Sequence, residues 1–88
     1  MKGYEVKEWF AAKKFKEIKG MSLFDSRVYA IFDETEKAYK CVLGTAFNNV
    51  ITWVPKSLVS ESEEFETARV DSYDEVREMI KDDYRMFA

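Results

Sequence analysis

Histidine is missing from all 88 residues of the chain, which also has a single cysteine, a single proline and three glycines. Without imidazole the commonest general base near neutral pH is gone, and with it the usual catalytic triads and dyads and most zinc sites. Cys41 stands alone, so an internal disulfide is excluded and a thiolate metal site lacks ligands; set in an apolar run, it reads as a small buried hydrophobe. Gly3, Gly20 and Gly44 are too far apart for a Walker loop or a dinucleotide-binding fingerprint. Long apolar runs are also lacking: nothing approaches the ~20 residues that span a bilayer. Met1 to Lys7 carries charge where a secretory leader would need apolar residues. A cytoplasmic protein without a membrane partner is expected.

The remaining candidates for chemistry are thin. Glu63-Glu64 and Asp82-Asp83 fall in an expected loop and on an expected outer helix face, where paired carboxylates gain nothing for catalysis. Lys56 and Ser57 are adjacent, and neighbours on an extended chain point apart, so they do not make a nucleophile and base. The sequence therefore predicts no enzyme, no cofactor and no metal.

Composition is that of a globular chain: 47% hydrophobic, 35% charged and 16% aromatic. The length suits one domain over residues 1–88, because two cores would each be too small to hide enough surface. A domain of this size hides only roughly 60 to 65% of its unfolded surface. Self-association as a homodimer is one way to cover more.

Strand patterns dominate the first two thirds. Tyr4, Val6 and Phe10 alternate with Glu5, Lys7 and Trp9 as a first strand does, although Glu8 interrupts the pattern and Ala11 to Glu17 is rich in helix formers. Phe15 to Ser26 reads as a long connection whose apolar residues tuck onto the core, with a short helix as the alternative. Arg27 to Phe32 and Ala38 to Leu43 are rich in β-branched and aromatic residues and make a hairpin about the polar Asp33 to Glu36. Val50 to Val54 supplies another strand, ended by Pro55, which cannot donate to a ladder. Ser60 to Glu64 is too polar to pack and reads as an exposed loop, and Phe65 to Val70 as a weak last strand.

The C-terminal helix is the clearest element. Ser72 with Glu75 three residues on has the form of a capping box, and Asp74 adds negative charge where the helix dipole favours it. Tyr73, Val76, Ile80, Tyr84 and Phe87 then make one continuous stripe that must bury against the sheet. The expected fold is α+β: a small antiparallel sheet of four to five strands with one amphipathic helix on one face, leaving the other face free.

Charge is unevenly distributed. Residues 1–59 hold ten Lys/Arg against seven Asp/Glu, and residues 60–88 four against ten, giving +3 and −6 within the overall −3. A mildly basic body carries an acidic tail region, which is either a solvated surface or a surface for a basic partner.

Ile51 to Ser57, ITWVPKS, resembles a Trp-Val/Ile-Pro-Lys-Ser motif of short phage and prophage proteins of Gram-positive bacteria. The resemblance covers this heptapeptide and the hairpin Arg27 to Leu43 with its central DETEKA. It implies a genomic setting and no residue roles. In that setting a small protein without reactive groups acts by stoichiometric binding to a host protein, for example as an inhibitor of a defence component of the anti-CRISPR kind; this is analogy of size and origin.

Two binding classes follow. The preferred one is a protein-binding module that meets a basic host partner through Glu61, Glu63, Glu64 and Glu66, together with Asp71, Asp74, Glu78, Asp82 and Asp83. Trp53 belongs to either class: an aromatic on a strand is ordinarily core, but if exposed it leads the contact residues, with Lys56 and Ser57 on the rim beyond Pro55. The second class is a single-stranded nucleic-acid binder. There Tyr29, Tyr39 and Trp53 serve as stacking platforms on the helix-free sheet face, and Arg27, Lys37, Lys40 and Lys56 meet phosphates. The sequence pI near 5.0 weighs against that class.

Overall fold

A computed structural model describes the backbone of residues 2–87 and the side chains of residues 2–85. The chain runs β1 (Gly3–Val6), α1 (Glu8–Lys19), β2 (Val28–Glu34), β3 (Ala38–Gly44), β4 (Asn49–Pro55), a 3-10 turn (Lys56–Leu58), β5 (Val59–Ser62), β6 (Ala68–Arg69) and α2 (Tyr73–Phe87). The fold is α+β, as its residue patterns predict. Its strands form two sheets, a four-stranded one in the order β4-β3-β2-β6 and a two-stranded one of β1 and β5. All pairings are antiparallel except that of β2 with β6.

The central hairpin follows the expected boundaries closely. β3 and β4 pair without a shift from Ala38 opposite Pro55 to Gly44 opposite Asn49. The β2–β3 ladder shifts register twice, and these irregularities put both Val28 and Ile31 on one side of the sheet while Ala30 faces the other. Gly44 sits at φ +120, and a Cβ there would lie 2.2 Å from the Asn48 carbonyl oxygen, so the end of β3 has room for glycine alone.

Two features differ from expectation. The first is α1, which takes up residues read as a strand followed by a connection. Glu8 in its first turn and Lys16 and Lys19 in its last complement the helix dipole. Gly20 then ends it in the left-handed region: the Gly20 amide bonds to Lys16 and the Met21 amide to Phe15. The strand pattern survives only over Gly3–Val6. Phe10, Ala11 and Phe15 point inward from the helix and are buried.

The second is β5. Ser60 to Ser62 forms a strand on the partly exposed margin, because β1 needs a partner and Val6 opposite Val59 anchors the register. Its outward side chains remain polar, which is why the stretch reads as a loop. The expected last strand is confined to Ala68–Arg69.

The four-stranded sheet is therefore covered on both faces, and no helix-free face exists. On one side Val28, Ile31, Cys41, Leu43, Val50 and Val54 pack with Val6 of β1 and with Phe10, Ala11 and Phe15 of α1. On the other, Ala30 and Val42 pack against Val76 of α2, with Tyr29, Phe32, Ala68, Val70 and Ile80 around them. Double coverage explains the unbroken buried run Cys41 to Gly44.

Among the described side chains, the α2 stripe is buried only in its middle. Val76 is fully enclosed and Ile80 half-buried, whereas Tyr73 before them and Tyr84 after them stay half-exposed. Tyr73 leans on Phe32 and Tyr84 on Phe47, with ring centres 5.7 and 4.7 Å apart. The expectation for Phe87 lies outside the described side chains.

Candidate functional site

One buried polar side chain arranges the acidic side of the molecule. Thr67 is 5% exposed; its hydroxyl oxygen accepts the Tyr4 amide at 2.7 Å and donates to the Val28 carbonyl at 2.7 Å. This threonine pins the chain just before β6 to both sheets. It thereby holds Glu66 beside Tyr29 and the last turns of α2.

Tyr29 is the centre of that region. Its hydroxyl donates to the Asp83 carboxylate of α2 in a short bond. Burial first, and this bond second, raise the phenol well above its ordinary pKa. The phenol stays neutral and remains a donor.

Two clefts flank the Tyr29–Asp83 bond. One, with a volume near 440 Å³, lies among Tyr29, Glu66, Thr67, Ala68, Met79, Asp82 and Asp83. The other, near 390 Å³, adds the aromatic walls Phe47 and Phe65 beside Tyr29 and the turn after β3, with Arg27 at its rim. Arg27 is engaged there, with its guanidinium 5.2 Å from the centre of the Phe65 ring. The first cleft has three carboxylates on its lining and no cation. Among the described residues no three acidic or thiol groups are placed to hold a metal ion.

The structure sorts the expected contact residues into separate places. Trp53 is 42% exposed, the second of the two alternatives its sequence leaves open: it projects from an edge strand on the α2 side. Lys40, opposite it in the ladder, holds its ammonium 5.9 Å from the Trp53 ring centre and 5.7 Å from that of Phe32. Tyr39 faces the opposite side, since it stands opposite Val54, and its ring stacks on Tyr4 at 6.0 Å. Tyr29 is on the α2 side but hydrogen-bonded to Asp83. Tyr29, Tyr39 and Trp53 therefore share no platform.

Lys56 is committed to Glu34. Its ammonium meets that carboxylate at 2.5 Å while lying 4.9 Å from the Tyr39 ring centre. Arg69 meets the other Glu34 oxygen at 3.1 Å. These bonds to Lys56 and then Arg69 hold the Glu34 carboxyl below the usual carboxylate range. Ser57 is exposed on the 3-10 turn, and Lys37 is exposed in the β2–β3 turn. Glu61 pairs with Lys2 at 2.9 Å, Glu63 and Glu64 are exposed in the loop after β5, and only Glu66 of this group reaches the clefts.

Phe47, Phe65, Met79 and Thr67 carry signals that the sequence offers only faintly. An aromatic between Ala46 and Asn48 in a turn has no strand to pack with, and that misfit is the one readable sign for Phe47. No protein family, no curated protein and no solved structure matches this chain.

Proposed function

We propose that this protein is a non-catalytic binding module that engages a basic segment of another protein through the cleft between Tyr29, Glu66 and α2. One observation carries the reading. Acidic residues separated in sequence, Glu66 and the pair Asp82-Asp83, converge on one cleft whose remaining walls include Tyr29, Ala68 and Met79. A carboxylate-rimmed, partly apolar cleft suits a lysine or arginine side chain, whose methylenes pack on the walls while its charged end meets the carboxylates. Asp82 also bonds Arg85 at 3.3 Å on the exposed surface, a contact that a better-placed partner cation replaces at little cost.

The resemblance of Ile51 to Ser57 to phage and prophage proteins supplies the setting: a host protein as partner, inhibited by occupation of its basic surface. Charge complementarity of this kind speeds association and orients partners more than it adds affinity. Affinity capture from a bacterial host lysate, with the wild type and Glu66→Lys side by side, tests the reading. A partner retained by the wild type at low salt and lost by the variant supports it. Equal retention by both, or release of the partner only by changes at Trp53, contradicts it.

A further inference from the structure

Strand β4 is the last in its sheet, and its two edges are unlike. The Lys56 amide bonds to the Lys37 carbonyl at 2.8 Å and the Thr45 amide to the Asn48 carbonyl at 2.9 Å. These bonds set the phase of the β3–β4 ladder: Val50, Thr52 and Val54 turn their backbone groups to β3, so those of Asn49, Ile51 and Trp53 point outward. Among the described residues no strand pairs with that side. The Thr52 hydroxyl donates to the Trp53 carbonyl at 3.3 Å, and this is a weak side-chain contact.

The same residues show their side chains. Ile51 and Trp53 lie on the α2 face but beyond the helix, 38% and 42% exposed. Folded proteins normally blunt such an edge with charge, a bulge or proline. Here Asn49–Pro55 has no charged residue, its ladder has no shift, and proline comes only at the end.

We infer that a second copy of this chain pairs with the outer edge of β4, antiparallel about a twofold axis near Ile51 and Thr52. Two copies present the same uncharged edge, so they meet without like-charge repulsion along the strand. The position of the axis follows from Pro55, which has no N–H. Moving the axis beyond Thr52 sets Ile51 opposite Pro55 and removes bonds, and moving it before Ile51 runs the strands into the Ala46 to Asn48 turn. With the axis at Ile51, Asn49 faces Trp53 and Ile51 faces its own copy, so the outward groups of all three find partners. Ile51 and Trp53 of the two copies also cover one another on the α2 face.

The strip is narrow beside the roughly 1,000 Å² of a durable interface, so the dimer forms in proportion to concentration. The axis lies across the sheet from β6 and Glu66, which leaves the first cleft open in both copies. Dimerisation is thus independent of the proposed cleft function.

Sedimentation velocity over a concentration series, joined to amide hydrogen exchange, tests the inference on the full chain. The expected result is a mass rising from one copy to two, with exchange at the Ile51 and Trp53 amides slowing as the dimer fills. The Glu63 and Glu64 amides serve as the unchanged control. Ile51→Lys puts like charges at the axis and keeps the chain monomeric, with a melting temperature close to that of the wild type at its lowest concentration, because the side chain is partly exposed in the monomer. A wild type that stays monomeric throughout overturns the inference, as does a dimer indifferent to Ile51→Lys or one that protects amides elsewhere.

Discussion

The Tyr29 hydroxyl donates to the Asp83 carboxylate and so ties the start of β2 to the last turns of α2 across 54 residues of chain. Replacing Tyr29 by phenylalanine removes the donor and keeps the ring. A loss of about 1 kcal/mol is expected from the missing bond at a half-buried site. The bond also has a pH signature. The folded phenol sits above its ordinary value near 10, so its stabilisation is fully present below that value and is lost as the pH rises toward the folded one. Melting temperatures between about pH 10 and 12 should fall less steeply for Tyr29→Phe than for the wild type. Parallel curves would remove this linkage.

Thr67 makes a different prediction. Its hydroxyl serves Tyr4 and Val28 at once, so Thr67→Val leaves the Tyr4 amide and the Val28 carbonyl each short of a partner. The cost is about 1–3 kcal/mol, read as a lower urea midpoint with unchanged slope. Thr67→Ser keeps the hydroxyl and should recover most of it. Because Thr67 positions Glu66, the valine variant should also weaken the cleft.

Glu34 governs the acid side. Lys56 and Arg69 hold its carboxyl low, so its stabilisation is present above the ordinary carboxylate value and disappears as the pH falls through the folded one. Glu34→Gln should lower the melting temperature at pH 7 and flatten its decline between about pH 5 and pH 3. The group is solvent-exposed, and salt should shrink the difference. A decline as steep as that of the wild type would assign the acid sensitivity elsewhere.

Val76 is the one fully enclosed residue of the α2 stripe among the described side chains. Val76→Asp buries an unpaired carboxylate between α2 and the sheet, and the domain should lose its cooperative thermal transition. Trp53→Ala, by contrast, removes a half-exposed ring and should change stability little.

The part of the fold legible in the sequence is the part whose faces have a simple period. The β2–β3–β4 run and α2 announce themselves through β-branched residues, turn chemistry and the Tyr73 to Tyr84 stripe. Helix α1 does not, because Tyr4, Val6 and Phe10 continue an alternating pattern across Lys7, where the chain changes from strand to helix. β5 was hidden by its polar composition, since it pairs through its backbone while Ser60 and Glu61 face solvent.

The same limit applies to the site. The excess of acid after Ser60 was readable, as was the inclusion of Glu66, Asp82 and Asp83. That these three converge, while Glu61, Glu63 and Glu64 do not, depends on the parallel pairing of Ala30 with Ala68, a long-range contact with no local signature. Likewise the exposure of Trp53 depends on where α2 ends its coverage of the sheet, which no property of the heptapeptide around it records.

The decisive measurement is a two-dimensional NMR titration with a blocked arginine amide, using blocked norleucine as the uncharged control. The account predicts salt-sensitive shifts confined to the amides and side chains around Tyr29, Glu66, Thr67, Met79 and Asp83. They should be absent with norleucine and much reduced in Glu66→Gln. Shifts spread evenly over the exposed acids of the β5–β6 loop and the outer face of α2, or unchanged in the variant, would contradict it.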